Sequence, residues 1–216
     1  MVCNSTGHAL TIAASNNTSI YESAKILKNG GLIAFPTDTV YGVGAIYTNT
    51  AAVHRLYNVK SRAYNKAIPI LVGRFSDAWS LSKEVPQNAQ SLAEAFWPGP
   101  LSLVVYKSNS VPTIVAPGPT VALRSPNYSW LLELLNQVGP LAVSSANKSG
   151  EPDPISSHEV QSSLGNQIDL IVSDESRLSS LSSTVVDCSV DPPKILREGP
   201  ISILSIKTLL REVGSH

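Results

Sequence analysis

The sequence predicts an α/β protein built on an open sheet. Short apolar runs of strand length, such as "LIAFP", "LSLVVY" and "TVALR", alternate with segments in which apolar residues recur every three or four positions. The first pattern is typical of buried strands and the second of amphipathic helices. Such an alternation along a chain indicates a sheet with helices packed on it.

The first half of the chain supplies clear boundaries. Ile20, Ala24 and Leu27 recur at helical spacing, and Gly30-Gly31 ends this helix because glycine accepts the left-handed geometry of a helix stop. "LIAFP" follows as a strand, and the "TDTVYGVGA" after it is interpreted as a polar turn. The next elements are a helix over 50–59, a strand over 67–72, and helical segments over 76–96 that break near Pro86.

The second half repeats the pattern. "WPGP" predicts a rigid corner that leads into a strand, and a loop rich in Pro, Ser and Gly follows that strand. A Ser-rich loop over 173–183 precedes the last strands, "TVVDCS" and "KILREG". The predicted elements are strands over 101–106, 120–124, 140–145 and 168–173, and helices over 128–138, 156–165 and from about 205.

The length of the chain favours a single domain, and its charge argues against a protein that coats nucleic acid. A chain of 216 residues is long enough for one large core, and folding at this size buries about 70% of the unfolded surface. We expect residues 1–17, which are polar and rich in Asn, Ser and Thr, to form a flexible tail, and residues 18–216 to form a single domain. The 16 basic and 16 acidic residues balance, whereas proteins that coat nucleic acid are basic.

The compartment is inferred from cysteines and from the first residues. Cys3 and Cys188 are too few for a disulfide framework, so we expect two reduced thiols. The first 20 residues contain no Lys or Arg, which fits neither a secretory leader nor a mitochondrial one. This pattern favours the cytoplasm and leaves mitochondria open.

Polar residues follow several predicted strands at the point where the strand ends, which is where open α/β sheets bind ligands. Taken singly, each group has a structural explanation: a satisfied turn, a solvated helix face, an ion pair or a helix cap. Together, five cations with several hydroxyls and few carboxylates predict a cavity for a polyanion. The groups are Thr37, Asp38, Thr39, Lys60, Arg62, Lys66, Arg124, Ser144, Ser145, Asn147 and Arg197.

Several common sites are not indicated. The sequence has no G-x-x-x-x-G-K-[ST] phosphate loop, and "YGVG" lacks the third glycine of a dinucleotide-binding turn. The four histidines are scattered, so they predict neither a zinc site nor a general base. No G-x-S-x-G supports a serine hydrolase.

The ordered motifs "GGLIAFPTDTVYGVGA", "VKSRAYNK", "WPGPLSLV", "TVALRSP", "PLAVSSANKSG", "SSTVVD" and "ILREGP" resemble the YrdC family, the threonylcarbamoyl-AMP synthases. The resemblance covers about residues 19–205. It implies a twisted open mixed sheet with flanking helices around a large, positively charged cavity. Because the chain stops soon after "ILREGP", the resemblance is to the single-domain form of the family.

The resemblance also implies a reaction. L-threonine, bicarbonate and ATP give threonylcarbamoyl-AMP and pyrophosphate, with Mg²⁺ held through the phosphates. The adenylate feeds a separate tRNA threonylcarbamoyl transferase, which modifies the adenosine beside the anticodon of ANN-reading tRNAs. A weak contact of this chain with tRNA stays open, and no membrane is involved.

The resemblance carries over to single residues. It implies a catalytic role for Lys60 and Arg62. Two positions depart from the family pattern: Ala67 stands where a proline is common, and Leu71 where some members have a histidine that touches threonine. The implied ATP contacts are Arg62, Lys66, Thr120, Ser145, Asn147 and Arg197, and the implied threonine contacts are Thr39, Arg124 and Ser183.

Two alternatives stay open at the level of sequence. An RNA-binding module could use the basic cavity as a groove for an anionic backbone, although the neutral net charge argues against it. A carbamoyl-adenylate domain like those of hydrogenase maturation is the other, although such domains belong to much longer chains.

Overall fold

A computed structural model of the chain describes residues 9–174 and 181–213, in which seven helices and ten strands are found. The helices are α1 (Ser19–Lys28), α2 (Thr50–Val59), α3 (Phe75–Ser80), α4 (Gln87–Phe96), α5 (Ser129–Val138), α6 (Ser157–Leu164) and α7 (Ile203–Val213). The strands are β1 (Leu10–Ala13), β2 (Ile33–Phe35), β3 (Gly42–Ile46), β4 (Ile70–Leu71), β5 (Leu101–Tyr106), β6 (Thr120–Arg124), β7 (Leu141–Ser145), β8 (Leu170–Ser173), β9 (Thr184–Asp187) and β10 (Lys194–Arg197).

All ten strands belong to one sheet in the order β1-β8-β2-β3-β7-β4-β6-β5-β9-β10. The pairs β1/β8, β2/β8, β4/β6 and β5/β9 are parallel, and the other five are antiparallel. The predicted α/β class with an open mixed sheet and flanking helices is therefore confirmed.

Strand β1 corrects the predicted tail. Residues 10–13 pair in parallel with β8, from Leu10 opposite Leu170 to Ala13 opposite Ser173. The prediction of a flexible tail over residues 1–17 is therefore wrong for this stretch. The reason is that β8 offers an unpaired edge on the side away from β2, and "LTIA" has the β-branched and apolar residues that suit a strand.

Strand β3 corrects the predicted polar turn. The turn ends at Tyr41, and "GVGAI" then pairs with β2 on one side and β7 on the other. A Cβ atom on Gly42 or Gly44 would lie 2.8 or 2.9 Å from the Val143 side chain, so the two glycines let β7 approach closely. Glycines weaken the usual strand signal, which explains why the sequence pattern missed this element.

Side chains of alternate strand residues pack in two cores on opposite faces of the sheet. Ile33 and Phe35 of β2 pack in a cluster with residues of α1 and α5, whereas the neighbouring Leu32 and Ala34 join the larger cluster with α2, α4 and α6. This is the two-residue period expected of a strand buried on both faces. The larger cluster includes residues of five helices, whereas the smaller includes residues of two, α1 and α5.

Cys188 follows β9 and is buried as a free thiol. Burial, with a smaller effect of the Asp187 carboxylate, raises the pKa of this thiol to about 12. The expected reduced thiol is found at this position, whereas Cys3 lies outside the described residues. Among the described residues, no helix is long and apolar enough to cross a bilayer.

Candidate active site

A cavity of about 230 Å³ is lined by residues of β4, β6 and β7 and by the turn that follows β2. Leu71 and Val143 line it and also belong to the core on the α1 and α5 face, so the cavity lies beside these helices on the same face. The cavity brings together six of the ten predicted site residues: Thr39, Arg62, Arg124, Ser145, Ser183 and Arg197.

Arg124 ends β6 and is only 6% exposed. Its Nε donates to the Gly99 carbonyl at 3.0 Å, Nη1 donates to Thr39 Oγ1 at 3.0 Å, and Nη2 forms an ion pair with Asp38 Oδ1. A guanidinium has five N–H groups, so two have no partner among the described residues. Burial lowers the pKa of Arg124, and the Asp38 carboxylate opposes this effect. The result is a fixed cation with two free donors on the cavity wall.

The turn from Thr37 to Thr39 has two functions at once. Thr37 Oγ1 donates to the Val40 carbonyl at 2.8 Å and accepts from the Thr39 amide at 3.0 Å, so the turn closes on itself. The same turn delivers Asp38 and Thr39 to Arg124. The polar residues after β2 therefore make a turn and also hold the cation of the cavity.

Arg62 follows α2 and lines the cavity from the basic loop. Its Nε donates to the Lys66 carbonyl at 3.2 Å, and Nη2 donates to the Ala67 carbonyl at 2.7 Å. Burial lowers the pKa of Arg62, with an opposing effect from Tyr57. The guanidinium thus binds two backbone carbonyls of the loop to which it belongs. One of them is the carbonyl of Ala67, the residue that departs from the family pattern.

Lys60 and Asn147 do not line the cavity. The Lys60 ammonium is buried and donates to the Ser145 carbonyl and, at 2.6 Å, to the Asn147 carbonyl. Asn147 Oδ1 accepts from Ser145 Oγ at 2.6 Å, and its Nδ2 donates to the Glu151 carbonyl at 2.6 Å. Both side chains hold the loop that follows β7, and Ser145 is the member of this loop that reaches the cavity.

Lys66 and Thr120 also lie outside the lining. The Lys66 side chain is exposed, and it is the backbone carbonyl of this residue that contacts Arg62. Thr120 begins β6, so it is separated from Arg124 by about 13 Å along the strand. The geometry does not bring these two side chains to the arginines of the cavity.

Ser183 and Arg197 also line the cavity. Ser183 Oγ shares a 2.9 Å hydrogen bond with Ser102 Oγ of β5. Arg197 Nε donates to the Ser183 carbonyl at 3.0 Å, and Nη2 donates to Ser183 Oγ at 3.3 Å. The pairing of β5 with β9 brings Ser102 to Ser183, and the pairing of β9 with β10 brings Arg197 there.

Asp153 is a lining residue that the sequence pattern missed. Its Oδ2 accepts from Ser182 Oγ at 2.5 Å, which joins the loop after β7 to the loop before β9. The signal was "EPDP", a polar run close to "SSAN", but a lone exposed aspartate in a loop is ordinarily solvated. The lining therefore carries three arginines and one aspartate, and within the described residues no group of His, Cys, Asp and Glu could hold a metal ion.

Comparison with known proteins decides the family. The sequence profile of the Sua5/YciO/YrdC family, described as "Telomere recombination", matches residues 25–199. The chain belongs to this family. The resemblance drawn from the ordered motifs is confirmed.

The relatives share a name and the fold. A threonylcarbamoyl-AMP synthase of Pyrococcus abyssi is 37% identical over 196 residues, 90% of this chain and 58% of that protein. A relative from Mycobacterium tuberculosis, whose name is the same but provisional, is 38% identical over 88% of both chains. The crystal structure of P. abyssi Sua5 complexed with L-threonine has a TM-score of 0.89 at 35% identity, and covers 93% of this chain and 60% of that one.

Proposed function

We propose that this chain makes threonylcarbamoyl-AMP and pyrophosphate from L-threonine, bicarbonate and ATP. The observation that carries the proposal is the buried Arg124, whose two remaining N–H donors lie on a cavity wall that also bears Arg62 and Arg197. One fixed fork suits the carboxylate of an amino acid, and the other two cations suit phosphates. The names of the relatives favour this synthase over an RNA-binding module.

The amino-acid end is assigned to the Arg124 side of the cavity. Arg124 binds the threonine carboxylate, and Thr39 and Ser183 supply hydroxyls for its remaining polar groups. Leu71 and Val143 offer an apolar wall to the side chain. Leu71 lies opposite Arg124 in the pairing of β4 with β6, so the carboxylate fork and the apolar wall are adjacent.

The nucleotide end is assigned to Arg62, Ser145 and Arg197. The two guanidiniums neutralise the phosphates, and Ser145 supplies a hydroxyl from the loop after β7. The roles of Lys66 and Thr120 as ATP contacts stay predictions from the family resemblance, because neither residue lines the cavity. We expect Mg²⁺ to enter with the nucleotide as MgATP, because the lining has a single aspartate and, among the described residues, no paired carboxylates that could hold the ion.

The chemistry needs positioning and charge neutralisation. The threonine amine combines with bicarbonate to give a carbamate and water. A carbamate oxygen then attacks the α-phosphorus in line, the bond to the bridging oxygen breaks, and pyrophosphate leaves. Holding the carbamate and the α-phosphate in line lowers the barrier, and arginines stabilise the charge on the leaving group. The adenylate would pass to a tRNA threonylcarbamoyl transferase as partner.

The test is pyrophosphate release by the purified chain with each substrate omitted in turn. Release that requires threonine, bicarbonate and ATP together supports the synthase. Binding of RNA without such release would favour the RNA-binding module, and release that is independent of threonine would favour a different carbamoyl-adenylate.

A further inference from the structure

Lys60 is a buried cation that the proposed chemistry leaves unused. It ends α2 as the C-cap residue, and it is 1% exposed. Arg62, only two residues further on, lines the cavity. The backbone between them turns sharply at Ser61, whose φ is 49°. The chain therefore directs two neighbouring cations of "KSR" to different surroundings.

The Lys60 ammonium has three oxygens for its three N–H groups, all on the loop that follows β7. They are the Ser145 carbonyl, the Asn147 carbonyl at 2.6 Å and Asn147 Oδ1 at 3.3 Å. The backbone carbonyl of Lys60 also accepts from the Ser149 amide at 2.8 Å. One residue thus holds the loop by four hydrogen bonds.

Asn147 connects Lys60, through hydrogen bonds, to residues next to the cavity. Its Nδ2 donates to the carbonyls of Glu151 at 2.6 Å and Pro152 at 3.1 Å. The next residue, Asp153, lines the cavity, as does Ser145 at the start of the loop. Asn147 Nδ2 also lies 3.5 Å from Asp153 Oδ1. The hydrogen bonds of Asn147 therefore join the Lys60 ammonium to Ser145 and to the segment that carries Asp153.

This arrangement is costly if its only use is stability. None of the described carboxylates lies within hydrogen-bond distance of the ammonium, and its three partners are neutral oxygens. Burial and then the Arg62 charge lower the pKa of Lys60 to about 8, although Asp153 and Glu151 act in the opposite direction. A protein with a buried charge that has no opposite charge beside it is commonly less stable than the same protein with an apolar side chain at that position.

We propose that Lys60 is a positioning residue, whose ammonium acts through Asn147 to fix residues 145–153 in the shape that presents Ser145 and Asp153 to the nucleotide. The proposal rests on the proposed function for the identity of the nucleotide. It assigns Lys60 no contact with the phosphates, because such a contact would take the ammonium away from the three oxygens that it already binds.

The experiment compares Lys60→Met and Lys60→Arg with Lys83→Met, a control at an exposed lysine. Amide hydrogen exchange over residues 145–153 is measured without substrate, and the Kd of a non-hydrolysable ATP analogue is measured by titration. In Lys60→Met we expect faster exchange confined to this loop, and affinity for the analogue weaker by about tenfold. Lys60→Arg does not restore either quantity, because the larger guanidinium does not fit the buried position.

Three outcomes would overturn the proposal. Weaker nucleotide binding with unchanged exchange in the loop, or normal affinity in Lys60→Arg, would indicate a direct phosphate contact. Unchanged values of both quantities in Lys60→Met would show that the hydrogen bonds have no role at the site.

Asn147→Ala provides a second variant if Lys60→Met does not fold. It removes the side-chain link and leaves the Asn147 carbonyl, so we expect the same local exchange and a smaller loss of affinity. Where Lys60→Met does fold, the two losses of affinity should not add in the double variant, because both changes break one set of hydrogen bonds. Neither readout requires turnover, so a failure of the proposed synthase activity is distinguishable from a failure of this proposal.

Discussion

Replacing Arg124 with lysine tests the carboxylate fork while keeping the charge. The guanidinium donates three of its five N–H groups to Gly99, Thr39 and Asp38, and two remain for the substrate. A lysine ammonium carries its three donors on one nitrogen and they diverge, so it cannot replace the planar fork with which a guanidinium binds both oxygens of a carboxylate. Losing one charged hydrogen bond to the threonine carboxylate costs about 2 kcal/mol, which corresponds to a rise of about 30-fold in the threonine KM.

The assay is steady-state kinetics of pyrophosphate release, with threonine and ATP varied in turn. We expect the ATP KM of Arg124→Lys to stay within about twofold of wild type. Arg55→Lys is the matched control, because Arg55 also pairs with an aspartate, Asp169, but does not line the cavity. An equal rise in both KM values would indicate general damage to the cavity, and a rise for ATP alone would place Arg124 at the phosphates.

Three further predictions concern other parts of the chain. Arg62→Ala should lose about 2–4 kcal/mol of transition-state stabilisation, calculated from the fall in kcat/KM, while its far-UV circular dichroism spectrum stays that of the wild type. Wild-type turnover by a folded variant would refute the proposed role of Arg62 at the phosphates. Since the pKa of Lys60 is about 8 in the folded chain and 10.5 ordinarily, the unfolded chain binds more protons between these values. The contribution of Lys60 to the free energy of unfolding should therefore rise with pH in this window. The affinity for the ATP analogue should fall over the same window, because the ammonium loses its proton. A fall in affinity with pH that persists in Lys60→Met would contradict the assignment to Lys60. Because burial raises the pKa of Cys188 to about 12, its thiol should react with iodoacetamide at neutral pH only after denaturation, and rapid labelling of the native chain at Cys188, located by peptide mapping, would contradict this.

Elements with strong local signals could be predicted from the sequence. Helix α2 has the predicted bounds, Thr50–Val59, because apolar residues recur along it and Asn49 accepts from the Ala52 amide at its start. The break near Pro86 separates α3 from α4 as expected. Strand β1 was missed because it depends on pairing with the distant β8, and β3 was missed because its glycines weaken the strand signal.

The candidate site was predictable as a set of residue types and less so as contacts. Apolar runs that end in polar residues indicated Thr39 and Arg124, because open α/β sheets bind ligands at the ends of their strands. The pattern could not tell that Lys60 is buried and Arg62 lines the cavity, since a single turn at Ser61 separates them. It also could not reveal Asp153, which is placed by hydrogen bonds with residues distant in the chain.

The most direct test of the central claim is the identity of the product. The chain is incubated with labelled bicarbonate, labelled threonine and ATP at neutral pH, and the nucleotides are analysed at once by mass spectrometry. We predict one new adenylate that contains the bicarbonate carbon and the whole of threonine, formed in equal amount with pyrophosphate. AMP or ADP as the only new nucleotide, or an adenylate without the bicarbonate carbon, would contradict the account.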